Sequence, residues 1–301
     1  LRLLPRTSCD MAPQRLTVVL VGQTGNGKSA TGNSLLGVDA FQAKRSLASV
    51  TERCQVGEAM LDACDAPMHP SAEGGGTRTA SEAATLLRVI DTPGTCDSGA
   101  LLEDNLKHIS EFLSSSAASA ASSSGATDLE GRDVHGPGYG PGSSGEGLHA
   151  LVLVLSAAAR FTQEEAVAME RLVARLGEGV MRHSLAVFTR GGELTREGAD
   201  VDELMSSAPP SLRQLLARMG GIGGGGGGED GAPVLIENFP SDGATRTQSA
   251  AVPLLTAVRR LVARRVAELG GGPDAHLDAD PDAAAAAVAS AVYTPAKLVA
   301  A

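Results

Sequence analysis

The 301-residue chain is short of aromatic side chains: Phe, Tyr and Trp make up 2% of it, with no Trp at all. Any core must therefore be assembled from Val, Leu, Ile and Ala. An apolar content of 43% is enough for one α/β domain of ordinary size with insertions, or for two small domains. Positive charge is also lacking. The formal net charge of −10 argues against a dedicated nucleic-acid binder, which needs a basic field to neutralise phosphates. The four cysteines, Cys9, Cys54, Cys64 and Cys96, show no C-x-x-C spacing. They support neither a zinc site nor a disulfide framework, and a reducing compartment is the default reading. A transmembrane helix needs about 18 or more consecutive apolar residues, and no such run exists. The expected location is cytoplasmic, with peripheral attachment to an organelle membrane as the alternative. The first residue is Leu1, so the sequence is expected either to be a fragment or to start at Met11. Residues 1–15 carry three arginines and one acid, the basic bias of a transit peptide in weak form, and are expected to be a disordered extension.

What is present is an alternation of strand and helix patterns. Leu16–Val21 is a β-branched apolar run that stops at a glycine, and a helix is predicted from Lys28 to near Gly37. Cys54 to Ala63 is strand-like, Thr85–Ile90 is a buried strand, and Ala100–Leu113 is helical in pattern. His149–Ser156, Ser184–Phe188 and Val234–Ile236 read as further strands. Gln163–Leu176 reads as an amphipathic helix, Val201–Met219 as a helix in two pieces broken at Pro209-Pro210, and Ser249–Leu269 as a long last helix. Residues 114–147, rich in Ser, Ala and Gly, read as a disordered insertion, 220–231 as a glycine-rich loop, and 270–301 as an alanine-rich tail. Strands alternating with helices predict βαβ units and a mainly parallel sheet with helices on both faces.

Gly22-Gln23-Thr24-Gly25-Asn26-Gly27-Lys28-Ser29 fits G-x-x-x-x-G-K-[ST] between a predicted strand and a predicted helix. Glycines let several backbone N–H groups turn inward around a phosphate, and a helix N-terminus adds its dipole to the same anion. Lys28 is placed to contact the β and γ phosphates, Ser29 to ligate Mg²⁺, and Ala30 to continue the cradle into the helix. Asp91-Thr92-Pro93-Gly94 follows a buried strand. Asp91 is the expected magnesium-holding acid, and Gly94 the expected backbone donor to the γ-phosphate. Thr51 is the candidate switch threonine that would complete the magnesium shell.

The runs VVLVGQTGNGKSATGNSLLG, SVTERC, DTPG, HALVLVLSAAARFTQEE and VFTRGGEL resemble the AIG-type, or GIMAP/IAN, family of immunity-associated GTPases. The extension GKSATGNSLLG and the block around Arg160-Phe161-Thr162 carry the likeness beyond a general phosphate loop. It runs from about Leu16 to Leu269. The resemblance implies a Ras-like P-loop G domain with a helical C-terminal extension, related to septins and chloroplast import GTPases. It further implies binding of GTP and GDP with Mg²⁺, homodimers or oligomers formed through the nucleotide face, and in several relatives a C-terminal membrane association.

One departure bears on specificity. Such proteins read guanine with a motif of the form [NT]-[KR]-x-D, and here Thr189-Arg190-Gly191-Gly192 puts a glycine where the aspartate belongs. Glu193 stands one residue later and would reach the base only with a shift of register, while Arg190 would stack along it. Losing one charged hydrogen bond in a desolvated site costs roughly 1.5–3 kcal/mol, about ten- to a hundredfold in affinity. Asn238, after the last predicted strand, is the expected late base contact. Thr95 follows Gly94, with no glutamine in the position that orients attacking water, so slow hydrolysis is expected and no catalytic residue is assigned. His108, His149 and His183 are read as structural or surface residues, and Thr162 with Glu164-Glu165 as a helix start. The resulting expectation is a GTP-binding switch or oligomerising scaffold. A chloroplast-envelope import receptor and a degenerate, non-hydrolysing binding module are the alternatives.

Overall fold

A computed structural model describes residues 14–43, 53–61, 85–94, 103–104, 107–109, 111, 148–196, 198–220, 233–241 and 243–268. The expected insertion at 114–147, nearly all of the glycine-rich loop, the tail from 270 and Thr51 lie outside these residues.

Six strands form one sheet: β1 (Gln14–Val21), β2 (Gln55–Leu61), β3 (Thr85–Asp91), β4 (Ala150–Ser156), β5 (Ser184–Thr189) and β6 (Val234–Leu235). Their order is β2-β3-β1-β4-β5-β6. Every pairing is parallel except β2 against β3. The first strand starts at Gln14, inside the expected N-terminal extension, because the parallel ladder with β3 begins there, Gln14 opposite Thr85. The helices are α1 (Lys28–Leu36), α2 (Gln163–Leu176), α3 (Gly191–Arg196), α4 (Val201–Ser206), α5 (Pro210–Arg218) and α6 (Val252–Glu268). A π-turn at Thr247–Ala251 leads into α6, so this helical stretch begins slightly earlier than its sequence pattern suggests. The described residues of the expected 100–113 helix are helical. None of the described helices is long and apolar enough to cross a membrane.

Strand alternation sends successive side chains to opposite faces, and helices cover both. Val18, Leu20, Val152 and Val154 pack with Leu35, Leu254 and Val258 on the α1–α6 face. Val19, Val21, Leu151, Leu153 and Leu155 pack with Met169, Leu172 and Leu216 on the α2–α5 face. Among the described residues, Phe41 and Phe188 are the aromatic side chains buried in these two clusters, and Phe161 packs against the edge of one.

Local signals set the helix ends. Gly37, in the left-handed conformation, stops α1. Thr162 and Glu165 form a reciprocal capping box at the start of α2. Asp200 caps α4, and Pro210 occupies the first turn of α5, where its missing N–H leaves no intrahelical bond unmade. Asn33 of α1 clasps the backbone of Phe41, accepting from its N–H at 2.8 Å and donating to its carbonyl at 2.9 Å. This clasp gives the GKSATGNSLLG extension a structural role: it folds the chain after α1 back onto the helix.

Candidate functional site

The parallel strands end at one edge, and the chemistry-bearing residues collect there. After β1 the chain turns through Gly22, whose φ is 144°, and a Cβ at this position would sit 2.3 Å from the Val154 carbonyl oxygen of β4. Only glycine permits that approach. Gly27, φ 95°, precedes α1, and no side chain caps the helix. An N-terminus left without a side-chain cap is suited to receive an anion. Lys28 is 6% exposed and folds back over the loop, donating from Nζ to the carbonyls of Gly22 at 2.9 Å and Gln23 at 3.1 Å. Asn26 N–H donates to the Gln23 carbonyl at 3.3 Å, tightening the same turn.

The Ser29 hydroxyl donates to Asp91 Oδ2 at 2.7 Å, joining the start of α1 to the end of β3. Asp91 is fully buried, and Thr92 beside it donates its hydroxyl to the Leu20 carbonyl at 2.7 Å. Gly94 is buried at the end of the same segment. Gln55, the first residue of β2, pairs opposite Asp91. Just before it, the Cys54 thiol is pushed up to about 12 by burial and by the negative charge of Asp91, so it stays protonated and unreactive. Thr51 lies outside the described residues, but the strand it leads into runs beside Asp91. Two hard oxygen donors, Ser29 Oγ and the Asp91 carboxylate, stand together where a phosphate-bound magnesium needs them, so the residues fit the ion.

At the other side of the loop, β5 delivers Thr189. Its hydroxyl donates to the Asn26 carbonyl at 2.7 Å and to the Leu155 carbonyl at 3.1 Å. Arg190, with φ 63°, reaches back to the Gly25 carbonyl at 3.4 Å. The segment that follows is helix α3 and not the open loop its two glycines suggest. Its start is held from outside by β6 and the residues after it: Gly191 N–H donates to the Ile236 carbonyl at 3.0 Å, and Gly192 N–H to Glu237 Oε2 at 3.0 Å. Glu193 points to solvent. The carboxylate beside Gly192 is therefore that of Glu237. Its Oε2 lies 3.0 Å from where a Cβ on residue 192 would stand.

Sequence reasoning missed Glu237. The signal was there, an acid immediately before Asn238, but it lies 45 residues from Gly192 and meets it only through the β5–β6 pairing. Asn238 has a different placement from the expected base contact. Its amide donates to Thr31 Oγ1 at 3.0 Å and its carbonyl accepts from the Ser34 hydroxyl at 2.9 Å, so both ends of the side chain hold α1. Asn26, expected as part of the phosphate cradle, also has a role outside it. It donates to the Val154 carbonyl at 3.1 Å and to Glu165 Oε1 at 3.0 Å, tying the loop to the capping box of α2. The histidines are structural or superficial, as expected: His108 is exposed, and buried His149 accepts the Thr17 N–H at 3.0 Å through Nδ1.

The AIG1 family model matches residues 16–66 and 142–222, which include both the phosphate loop and the Arg160–Glu165 block that packs against it. The chain belongs to the AIG1 family. Among curated relatives of this AIG1 chain, immune-associated nucleotide-binding protein 10 of Arabidopsis thaliana is 28% identical over 85% of the chain and 42% of its own length. Immune-associated nucleotide-binding protein 7 of the same plant is 32% identical over 67% of the chain and 50% of its own length. The chain thus spans about half the length of these relatives. A solved structure of Toc33 from Arabidopsis thaliana in complex with Mg²⁺ and GMPPNP is similar with a TM-score of 0.47 and 18% identity, over 84% of this chain and 86% of that one.

Proposed function

We propose that the chain binds GTP and GDP with magnesium and hydrolyses GTP slowly, as a switch whose nucleotide face also forms a homodimer or larger oligomer. The observation that carries this reading is the join of the glycine cradle, Lys28 and the Ser29–Asp91 pair on one sheet edge. Lys28 Nζ would exchange its two loop carbonyls for the β and γ phosphate oxygens. The first N–H groups of α1 would face the same oxygens. Ser29 and Asp91 would hold magnesium, which when bound neutralises charge between the two phosphates.

The base-reading residue in this proposal is Glu237. A carboxylate has about four acceptor sites, and Glu237 uses two on the N–H groups of Gly192 and Phe239. Two remain for the N1–H and the exocyclic amine of guanine, a donor pair adenine lacks. The restored contact answers the loss of an aspartate at position 192. Switching would come from the segments around Thr51 and Gly94, ordered by the γ-phosphate and relaxed after hydrolysis. Nothing resembling a water-orienting glutamine follows Gly94 in sequence, hence the slow rate.

Titration calorimetry with GTP, GDP and ATP in the presence of Mg²⁺ tests the proposal. Guanine nucleotides are expected to bind at least about tenfold tighter than ATP, the worth of one charged hydrogen bond. Equal affinities would reduce the chain to a general nucleotide binder. Absence of binding would leave the loop as a structural relic and end the switch reading.

A further inference from the structure

A cavity of about 500 Å³ opens beside the phosphate loop on the α2–α5 face of the sheet, opposite the side that carries α1. Its size falls within the roughly 300–1,000 Å³ range of small-molecule sites. Phe161, Phe188, Met205 and Leu212 give it apolar walls, and three buried polar residues, Asn26, Ser156 and Glu165, line it together with exposed Arg160 and Ser207. Ser156 ends β4 and is 7% exposed, and its hydroxyl has no hydrogen-bond partner among the described residues. A buried hydroxyl left unpaired costs about 1–3 kcal/mol, so this one calls for a partner from the cavity.

The chemistry of the walls selects the occupant. Glu165 is 4% exposed and carries a carboxylate engaged at Oε1 by Asn26 and at Oε2 by the Thr162 N–H, so an anionic group beside it would be repelled, while the positive charge of Arg160 is exposed to solvent and screened. Two phenyl rings and a thioether favour a flat ring over a flexible chain. Ser156 Oγ offers an acceptor to a single donor. We propose that this cavity is a second ligand site, for a neutral aromatic molecule bearing one N–H or O–H, linked to the phosphate loop through Asn26. Asn26 lines the cavity, belongs to the loop and bonds Glu165, so an occupant touching one of these residues bears on the hold of the other. This site stands apart from the nucleotide reading, and only the link through Asn26 rests on it.

Indole is the probe, and the absence of Trp from the chain lets its emission be followed without background. Saturable binding of indole by the full chain, with benzoate of similar size failing to compete, is expected. Ser156→Ala should fold with an unchanged or higher melting temperature and weaken indole about fivefold, the loss of one neutral hydrogen bond. Saturating indole should shift the GDP dissociation constant about threefold or more. No saturable binding, equal competition by benzoate, or an unchanged affinity in Ser156→Ala would overturn the site. An unchanged GDP constant would overturn the link to the loop. Should GDP fail to bind at all, the nucleotide reading falls, while the indole arm still decides the site.

Discussion

The phosphate end and the base end of the candidate site are built on opposite plans. The phosphate end comes from one unbroken stretch, Gly22 to Ser29, plus Asp91 on the neighbouring strand, and its Asn26, Lys28 and Asp91 side chains are buried and hydrogen-bonded. The base end joins Arg190–Gly192 to Glu237, segments that meet only because β6 pairs with β5. Its carboxylate is half exposed and its glycine leaves room where most G domains carry a side chain. Chemistry encoded over eight consecutive residues tolerates little change. Chemistry assembled across a sheet edge lets another residue take over a lost role.

Substitutions should expose that contrast. The largest effect is expected at Gly22→Ala, which places a Cβ against the Val154 carbonyl at a backbone angle closed to other residues. A loss of about 3 kcal/mol or more in urea unfolding is expected, together with loss of all nucleotide binding. A midpoint equal to that of the parent would break the claim that the cradle is sterically fixed. Next comes Lys28→Ala, which should weaken GTP, GDP and ATP alike by at least about a hundredfold in calorimetry, since two charged hydrogen bonds to phosphate are lost. Selective loss of guanine nucleotides alone would contradict the division of labour.

At the base end, Glu237→Gln should lower the preference for GTP over ATP by about ten- to a hundredfold while ATP affinity holds. Acidification provides a control that touches neither end. The pKa of His183 is pushed down to about 4, by burial first and then by the positive charge of Arg265. The unfolded chain takes up this proton below its ordinary value of 6.5, while the folded chain does so only near 4. The contribution is thus fully present above pH 6.5 and lost as pH falls toward 4, about 2 kcal/mol by pH 5. His183→Gln should flatten that slope in thermal melts without altering the ratio of GTP to ATP affinity. The smallest effect is expected for Glu193→Gln, which should leave guanine preference within about twofold, because its side chain faces solvent. A larger drop there than at Glu237 would reverse the assignment.

Legibility followed the same divide. The phosphate loop, the strand before it, Asp91, and the capped helix from Gln163 were readable because each is specified by neighbours a few residues away. The split at Pro209-Pro210 was readable for the same reason. Helix α3 was not, since two glycines at its start argue for a loop and what holds them, Ile236 and Glu237, is distant in sequence. Nor was the Asn26–Glu165 bond, which spans 139 residues and depends on β4 lying next to β1. Asn238 was noticed for its position after a strand. Its actual neighbours, Thr31 and Ser34, belong to α1, which packs against the turn at Thr247–Ala251 beyond Asn238.

The ammonium of Lys28 resting on the carbonyls of Gly22 and Gln23 has a kinetic consequence. The loop already holds a cation of its own and keeps its shape before any ligand arrives. At the phosphate loop, nucleotide capture then requires one side chain to swing, ahead of any ordering around Thr51 and Gly94. Association should accordingly run at a rate set by encounter and by the release of that lysine, and differences in affinity among nucleotides should be written in how long each one stays.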